Sequence, residues 1–209
     1  PARMTLPSDN APAPPGGLVL LTGGTGFLGR YIARALLARG ARLRLLARNP
    51  AHPALAEFAR RVELAQGDIT DAGSLGPAFA GVEAVVHAAA LVSFEARHRR
   101  ALRATNEGGT ANVVNFALEA GVRRLVYISS TAALSRPTTA GNPDLGGPRA
   151  GHAAGHAAGP AVITEAARWQ PGPANSAYGH SKYLGEKQVL RGVEEGLPAT
   201  ILNPCIILG

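Results

Sequence analysis

The chain has 209 residues, of which 46% are hydrophobic and 17% charged, and its net charge is +7. This composition is typical of a folded domain with a sizeable core and excludes a largely disordered chain. Its single cysteine, Cys205, excludes an internal disulfide framework and favours the cytoplasm, and the apolar run around it predicts a small core residue. Every apolar run is far shorter than the ~20 residues of a membrane-spanning helix, so we expect no membrane partner.

The positive charge comes almost entirely from arginine, because Lys182 and Lys187 are the only lysines. One cluster comprises Arg97, Arg99, Arg100 and Arg103. No aromatic side chains alternate with these arginines, as they do in single-stranded nucleic-acid sites. We therefore expect a solvated helix face and no nucleic-acid partner, with an anionic small molecule accounting for part of the charge.

Short apolar segments alternate with helical patterns along residues 17–209. The predicted strands are Leu18–Thr22, Ala41–Ala47, Val62–Ala65, Glu83–Ala88, Arg123–Ser129 and Ala199–Asn203. The predicted helices are Phe27–Arg39, His52–Arg60, Ser74–Ala80, Arg97–Ala120 and Ser176–Glu195. This alternation predicts one α/β domain with a doubly wound parallel Rossmann sheet in the order 3-2-1-4-5-6.

Two segments depart from this alternation. Residues 1–16 are rich in proline and alanine and are predicted to form a flexible tail. Residues 135–161 have low complexity and include a repeat that carries His152 and His156. Glycines flank both histidines and no carboxylate or thiol accompanies them, so we predict a loop and no metal site.

A glycine cluster between the first strand and the first helix predicts a phosphate-binding turn. The candidate cofactor-binding residues in it are Gly23, Thr25, Gly26, Phe27, Leu28 and Gly29. The early glycines permit a tight turn whose backbone can approach a pyrophosphate, and Gly29 permits close packing of helix and sheet. The helix N-terminus offers free N–H groups and a positive dipole to the phosphates.

The end of the second strand bears on the choice between NADP and NAD. An acidic residue there would bind the ribose 2′-hydroxyl, whereas an arginine would accept a 2′-phosphate. The strand ends without an acid and is followed by Arg48, with Arg30 as a possible second cation. The sequence therefore favours NADP, with NAD as the alternative.

Further motifs follow the later strands and complete a recognisable set. They are Gly67–Ile69, His87–Ala89, Asn106–Thr110, Ile128–Ser130 and Tyr178–Lys182. With the glycine turn, they resemble the short-chain dehydrogenase/reductase superfamily, in its extended branch of NAD-dependent epimerase/dehydratases and dihydroflavonol-reductase-like enzymes. The resemblance implies that Asp68 and Ile69 contact the adenine and that Ala88 and Ala89 line the cofactor site.

Tyr178 and Lys182 are four residues apart and therefore share one face of a helix. A lysine ammonium near the phenol is expected to lower its pKa from about 10 toward working pH, which makes Tyr178 a candidate general acid/base. Lys182 is also expected to bind the nicotinamide ribose. Ser130, or its neighbour Thr131, is expected to bind the substrate oxygen, and Asn106 to hold the long helix and a relay water.

The reaction predicted from these residues is hydride transfer between a nicotinamide and a ketone or secondary alcohol. Ser130 is followed by Thr131 and Ala132, so the acid that related dehydratases carry there is missing. A sugar-nucleotide epimerase is the alternative, and a non-catalytic NADP-binding sensor or scaffold is an alternative of another class. The resemblance also implies a possible homodimer. It further implies a substrate-binding region after the sixth strand, which we expect to be largely missing because the sequence stops at Gly209.

Overall fold

A computed structural model describes residues 16–134, residue 169 and residues 175–207. The predicted loop 135–161, with His152 and His156, lies outside the described residues. So does the predicted tail, apart from Gly16.

The described residues form a six-stranded parallel sheet in the order β3-β2-β1-β4-β5-β6, as predicted. The strands are β1 (Leu18–Thr22), β2 (Arg42–Ala47), β3 (Glu63–Gln66), β4 (Val82–His87), β5 (Arg124–Ile128) and β6 (Ala199–Leu202). All five residues of β1 are buried, whereas the edge strands β3 and β6 leave residues exposed on their outer faces. A continuous apolar run thus marks the centre of a parallel sheet that is covered on both faces.

Two hydrophobic layers enclose the sheet. The α-helices are α1 (Phe27–Ala38), α2 (Gly76–Phe79), α3 (Arg99–Arg103), α4 (Gly109–Glu119) and α5 (Ala177–Glu194). One layer packs α1 and a 3-10 segment, Pro53–Phe58, against the sheet, and the other packs α2, α4 and α5 against the opposite face. The helix predicted over 52–60 is therefore a 3-10 segment, which Pro53 begins.

The long helix predicted over 97–120 is interrupted by a π-helical turn. Residues Ala104–Gly108 form this turn between α3 and α4. The hydroxyl of Thr110 donates a hydrogen bond to the backbone oxygen of Asn106 at 2.7 Å. Such back-bonding by a threonine side chain bends helices, and π turns occur frequently at functional sites. The interruption lies where Asn106 enters the core.

Two surface predictions have opposite outcomes. The arginine cluster on and before α3 is exposed, as predicted for a solvated face. Cys205 is also exposed, so its predicted place in the core is wrong. It follows the edge strand β6, where no described helix covers it. Within the described ranges, no helix has the length and apolar character to cross a membrane.

Candidate functional site

The glycine turn after β1 has the close backbone contacts that the sequence motif predicts. Gly23 has a φ of +78°, and a Cβ there would lie 2.6 Å from the backbone nitrogen of Ala89. A Cβ at Gly29 would overlap the carbonyl oxygen of Gly23 and lie 2.7 Å from its carbonyl carbon. Glycine is therefore required at both positions. Gly23 needs it for its positive φ and because a Cβ would not fit, and Gly29 needs it because a Cβ would not fit.

This turn borders a cavity of about 300 Å³ at the carboxyl ends of β1, β2 and β4. Eight of the predicted cofactor-binding residues line it: Gly23, Thr25, Gly26, Arg48, Asp68, Ile69, Ala88 and Ala89. Ligands of doubly wound sheets bind at this edge, where the strand order reverses. The structure thus brings together residues that lie up to 66 positions apart in the sequence.

Other residues of the cavity were not predicted. They are Thr22, Leu46, Ala47, Gly67, Thr70, Ala90, Leu91 and Thr105. Most of them adjoin a predicted residue in the chain, so extending each motif by one or two residues would have found them. Conversely, five of the predicted cofactor-binding residues do not line the cavity: Phe27, Leu28, Gly29, Tyr178 and Lys182. Phe27 is 38% exposed and its ring contacts that of Tyr31 at 5.1 Å.

Two arginines were predicted to meet the phosphates of the cofactor. Arg48 is exposed and is part of the lining. Arg30 follows the glycine turn on α1, and its Nε is buried without a hydrogen-bond partner among the described residues. A buried N–H without an acceptor is costly. An anionic ligand group would supply the acceptor that Arg30 lacks.

A buried histidine joins the glycine turn to the π turn. The hydroxyl of Thr22 lies 2.7 Å from Nδ1 of His87 and accepts a hydrogen bond from the backbone nitrogen of Ala89. Nε2 of His87 lies 3.0 Å from the Thr110 hydroxyl, which donates to Asn106. These roles assign the proton of a neutral imidazole to Nε2. Burial, together with the charge of Lys182, lowers the pKa of His87 to about 3.

Asn106 is 1% exposed and its side chain connects three parts of the site. Its amide exchanges two hydrogen bonds with the backbone of Leu91 and donates a third to Ser181 on α5, at 2.9 Å. This arrangement agrees with the predicted role of holding the long helix. Both hydrogens of the amide nitrogen are engaged by protein atoms, so the relay water, which stays a prediction, would have to bind the amide oxygen or the backbone of Asn106.

Tyr178 and Lys182 lie on α5, beside the ends of β4 and β5. Lys182 is 1% exposed, donates to the backbone oxygen of Ile128 at 2.8 Å, and lies 4.3 Å from the centre of the Tyr127 ring. Tyr178 is half-buried, and its ring meets that of Phe94 edge-on at 5.9 Å. Phe94 is 77% exposed and was not predicted.

The electrostatics of the pair differ from the sequence prediction. Burial raises the pKa of Tyr178, and the nearby Ser130 side chain acts in the opposite direction. Burial also lowers the pKa of Lys182 to about 7, while the negative charge of Glu186 raises it. The Tyr178 pKa is therefore raised where the sequence predicted a lowering, because burial of the phenol disfavours its charged form.

Ser130 follows β5 as predicted and caps a 3-10 turn by accepting a hydrogen bond from Ala132. Behind it lies Glu186, which the sequence analysis missed and which accepts hydrogen bonds from Ser129 and Asn203. Its signal was the spacing of four from Lys182 on the same helix face. Among the described residues, no group of histidines, cysteines or carboxylates has the arrangement of a metal site.

Comparisons with known proteins agree with this geometry. The model of the NAD dependent epimerase/dehydratase family matches residues 19–209. The chain belongs to this family. It is an enzyme family of NAD(P)-dependent oxidoreductases and epimerases with small-molecule substrates, and this membership confirms the resemblance inferred from the motifs.

Two curated relatives and one solved structure illustrate the similarity. Sterol demethylase protein B of Methylococcus capsulatus is 34% identical over 191 residues, which cover 91% of this family member and 51% of the relative. A 3 beta-hydroxysteroid dehydrogenase/Delta 5→4-isomerase of Mycobacterium tuberculosis is 39% identical over 126 residues, which cover 56% of this chain and 32% of the relative. The structure of a short-chain dehydrogenase/reductase superfamily protein of Agrobacterium tumefaciens with bound NAD has a TM-score of 0.68 at 28% identity. The match covers 89% of this chain and 48% of that protein.

The chain spans about half the length of the first of these relatives. Its described residues nevertheless fit a nicotinamide dinucleotide. The glycines leave space for a pyrophosphate against the backbone, and the partnerless Nε of Arg30 fits an anionic ligand.

Proposed function

We propose that this chain provides the NADP-binding and proton-transfer groups of an oxidoreductase that interconverts a ketone and a secondary alcohol. The observation that carries the proposal is that α5 places the half-buried Tyr178 phenol close enough to Ser130 for its side chain to affect the Tyr178 pKa, at the carboxyl edge of the sheet and one helical turn from the buried Lys182. A half-buried phenol paired with a hydroxyl can bind a carbonyl oxygen and give it a proton.

The nicotinamide would donate a hydride to the carbonyl carbon or accept one from the alcohol. In the reducing direction, the Tyr178 phenol donates its proton to the carbonyl oxygen, while the Ser130 hydroxyl donates a hydrogen bond to the same oxygen. The raised pKa of Tyr178 keeps the phenol protonated at neutral pH, which suits a general acid. Lys182 would hold the ribose, and in the oxidising direction its charge would stabilise the phenolate.

Asp68 and Ile69 line the adenine end of the cavity in this proposal, and Ala88 and Ala89 line its centre. NADP is the preferred cofactor because Arg48 is exposed after the end of β2 and lines the cavity, and because the buried Nε of Arg30 on α1 has no hydrogen-bond partner among the described residues. Arginine recognises phosphate through several N–H groups at once. No carboxylate follows β2 to bind a free 2′-hydroxyl or to repel a phosphate.

Ketone reduction is favoured over epimerisation by the surroundings of Tyr178. The exposed Phe94 ring beside it offers an apolar contact and no hydrogen bond to a sugar hydroxyl. The similarity to a 3 beta-hydroxysteroid dehydrogenase supports the same choice, since that relative's name describes oxidation of a secondary alcohol. An epimerase would instead release the epimer of its substrate, with no net change in the oxidation state of the cofactor.

The test is Tyr178→Phe, measured in a preparation that oxidises NADPH with a ketone. Loss of the proton donor is expected to reduce kcat by about 10²–10⁴-fold, while the Kd for NADPH stays within about twofold. Tyr183→Phe is the matched control, because it removes a phenol hydroxyl from the same helix, and the Tyr183 ring stacks on that of Trp169. Unchanged turnover in Tyr178→Phe would remove this residue from the mechanism, and turnover of a sugar nucleotide without net NADPH oxidation would favour the epimerase.

We also propose that the protein forms a homodimer through the outer face of α5. Leu190 and Val193 are three residues apart on that helix and are 52% and 45% exposed, which supports an apolar contact with a second copy. Light scattering should give twice the chain mass, and Leu190→Lys should give a monomer. A monomeric mass for the unaltered chain would contradict the dimer.

A further inference from the structure

Glu186 is the third polar residue in a series along one face of α5. Tyr178, Lys182 and Glu186 follow one another at intervals of four, so each lies one helical turn from the next. The first two belong to the proposed reaction. Glu186 is half-buried beneath the loop that carries Ser130, and the proposed mechanism does not use it.

The Glu186 carboxylate connects three elements through one oxygen. Its Oε1 accepts a hydrogen bond from the Ser129 hydroxyl at 2.5 Å and another from the Asn203 side-chain amide at 2.6 Å. The same Asn203 nitrogen donates to the backbone oxygen of Ser130 at 3.0 Å. Helix α5 is thereby joined to the residues that follow β5 and β6. Ser130 is fixed at the point where these contacts meet.

Lys182 lies one turn away and is the buried cation of the site. Its Nζ makes a hydrogen bond with the backbone oxygen of Ile128, next to Ser129. The titratable groups that act on it or contact it come from three elements: His87 on β4, Tyr127 on β5 and Glu186 on α5, where Tyr178 lies one helical turn before Lys182. His87 is neutral and burial raises the pKa of both tyrosines, so at neutral pH only Glu186 carries a negative charge.

A buried ammonium is unstable unless a negative charge or several hydrogen bonds compensate it. The protein gives Lys182 one backbone acceptor and the face of one aromatic ring. These are weak compensation for a side chain that is 1% exposed. A carboxylate one turn away, held in place by two donors that do not neutralise it, supplies the missing charge.

We propose that Glu186 is a positioning residue with two effects: its charge favours the cationic form of Lys182, and its hydrogen bonds to Ser129 and Asn203 fix Ser130 against α5. The importance of this residue for catalysis rests on the proposed function, since it acts through Lys182 and Ser130. Its effect on the charge of Lys182 is a property of the folded chain and is measured without cofactor or substrate.

Three substitutions separate the two effects. Glu186→Gln keeps the size and the acceptor oxygen but removes the charge. Ser129→Ala removes one hydrogen bond and leaves the charge, so it is the matched control. Glu186→Asp keeps the charge while withdrawing it from its donors. The comparison therefore distinguishes electrostatic support of Lys182 from mechanical support of the loop after β5.

The chain is unusually suited to the measurement, because Lys182 and Lys187 are its only lysines. Lysine labelled with ¹³C at the ε position gives two NMR signals whose shifts follow each ammonium through a pH titration. Lys187 is exposed and serves as the internal control. In Glu186→Gln, the pKa of Lys182 should fall by about one unit, as expected on losing a nearby opposite charge, with Lys187 unchanged. Ser129→Ala and Glu186→Asp should each shift Lys182 by much less.

An unchanged Lys182 pKa in folded Glu186→Gln would overturn the proposal, and so would an equal fall in Ser129→Ala. If the glutamine variant does not fold, the unaltered chain still decides. The side-chain carboxyl carbon of Glu186 should show a step in its chemical shift at the pH where Lys182 titrates, and absence of that step would contradict the proposal.

A second measurement relates the charge to the cofactor. The pH at which NADPH affinity declines should move downward in Glu186→Gln by the same amount as the Lys182 pKa, and should stay in place in Ser129→Ala. If the unaltered chain does not bind NADPH, the proposed function fails on that point. The lysine titration still gives its own answer about Glu186.

Discussion

The two halves of the carboxyl edge of the sheet differ in the groups that form them. The nucleotide side, around the ends of β1, β2 and β4, consists mostly of backbone and small side chains from the glycine turn, Ala88 and Ala89, with Arg48 in the lining. The catalytic side, around β4, β5 and α5, consists of buried polar side chains that bind one another, with His87, Asn106 and Lys182 each at most 1% exposed. The residues of the first half are determined by the little space that the close backbone leaves for side chains. Those of the second half are determined by charge and hydrogen bonding.

The largest expected effect on the nucleotide side comes from Gly29→Ala. The added methyl group meets backbone atoms of Gly23, which cannot rotate away. We expect a loss of about 1–3 kcal/mol of stability or more, since overpacking a rigid site typically costs this much, together with loss of nucleotide binding. Urea unfolding and NADPH fluorescence titration measure the two effects.

Gly76→Ala is the control for this substitution, because the nearest atom to its added methyl group is a side-chain carbon of Phe116 at 3.9 Å. That is ordinary van der Waals contact, so stability should change by less than about 1 kcal/mol. If both variants bound NADPH as the unaltered chain does, lack of space for a side chain would not determine the residues of the nucleotide side.

On the catalytic side, the sharpest test is His87→Gln. The pKa of His87 is lowered to about 3 in the folded chain, from an ordinary value of 6.5. Below pH 6.5 the unfolded chain therefore binds a proton that the folded chain does not, and stability falls as the pH falls. Because of this histidine, the unfolding free energy of the unaltered chain should fall by about 1.5 kcal/mol between pH 6.5 and pH 5. The glutamine variant should not show this decrease.

Urea unfolding at the two pH values measures this difference, with His180→Gln as the control because His180 is exposed on α5. An equal acid sensitivity in His87→Gln and the unaltered chain would mean that the buried network does not hold a neutral imidazole.

The same contrast explains what the sequence predicts. The sheet order, the glycine turn and the Tyr178–Lys182 spacing follow from local patterns. By contrast, Asn106 reaches Ser181 across 75 positions, and Thr22 reaches His87 across 65. The π turn at Ala104–Gly108 has no local signal, since it depends on which side chain Asn106 meets. Hydrogen bonds between distant polar residues are not encoded in periodicity, so the partners on the catalytic side could not be predicted.

The smallest expected effect concerns cofactor choice. Arg48→Ser should weaken NADPH binding by about tenfold, which corresponds to about 1.4 kcal/mol, and should leave NADH affinity within about twofold. Arg39→Ser removes the same charge at the other end of α1 and should change neither affinity. An equal loss for both nucleotides in Arg48→Ser would show that Arg48 does not recognise the 2′-phosphate.

The central claim, that the carboxyl edge of this chain is an NADP site, is tested most directly by titrating the unaltered chain with NADPH and with NADH. Nucleotide fluorescence at fixed salt gives both dissociation constants, and circular dichroism verifies that the sample is folded. The account predicts saturable binding of both nucleotides, with NADPH bound more tightly. Absence of saturable binding of either nucleotide to folded protein would contradict it.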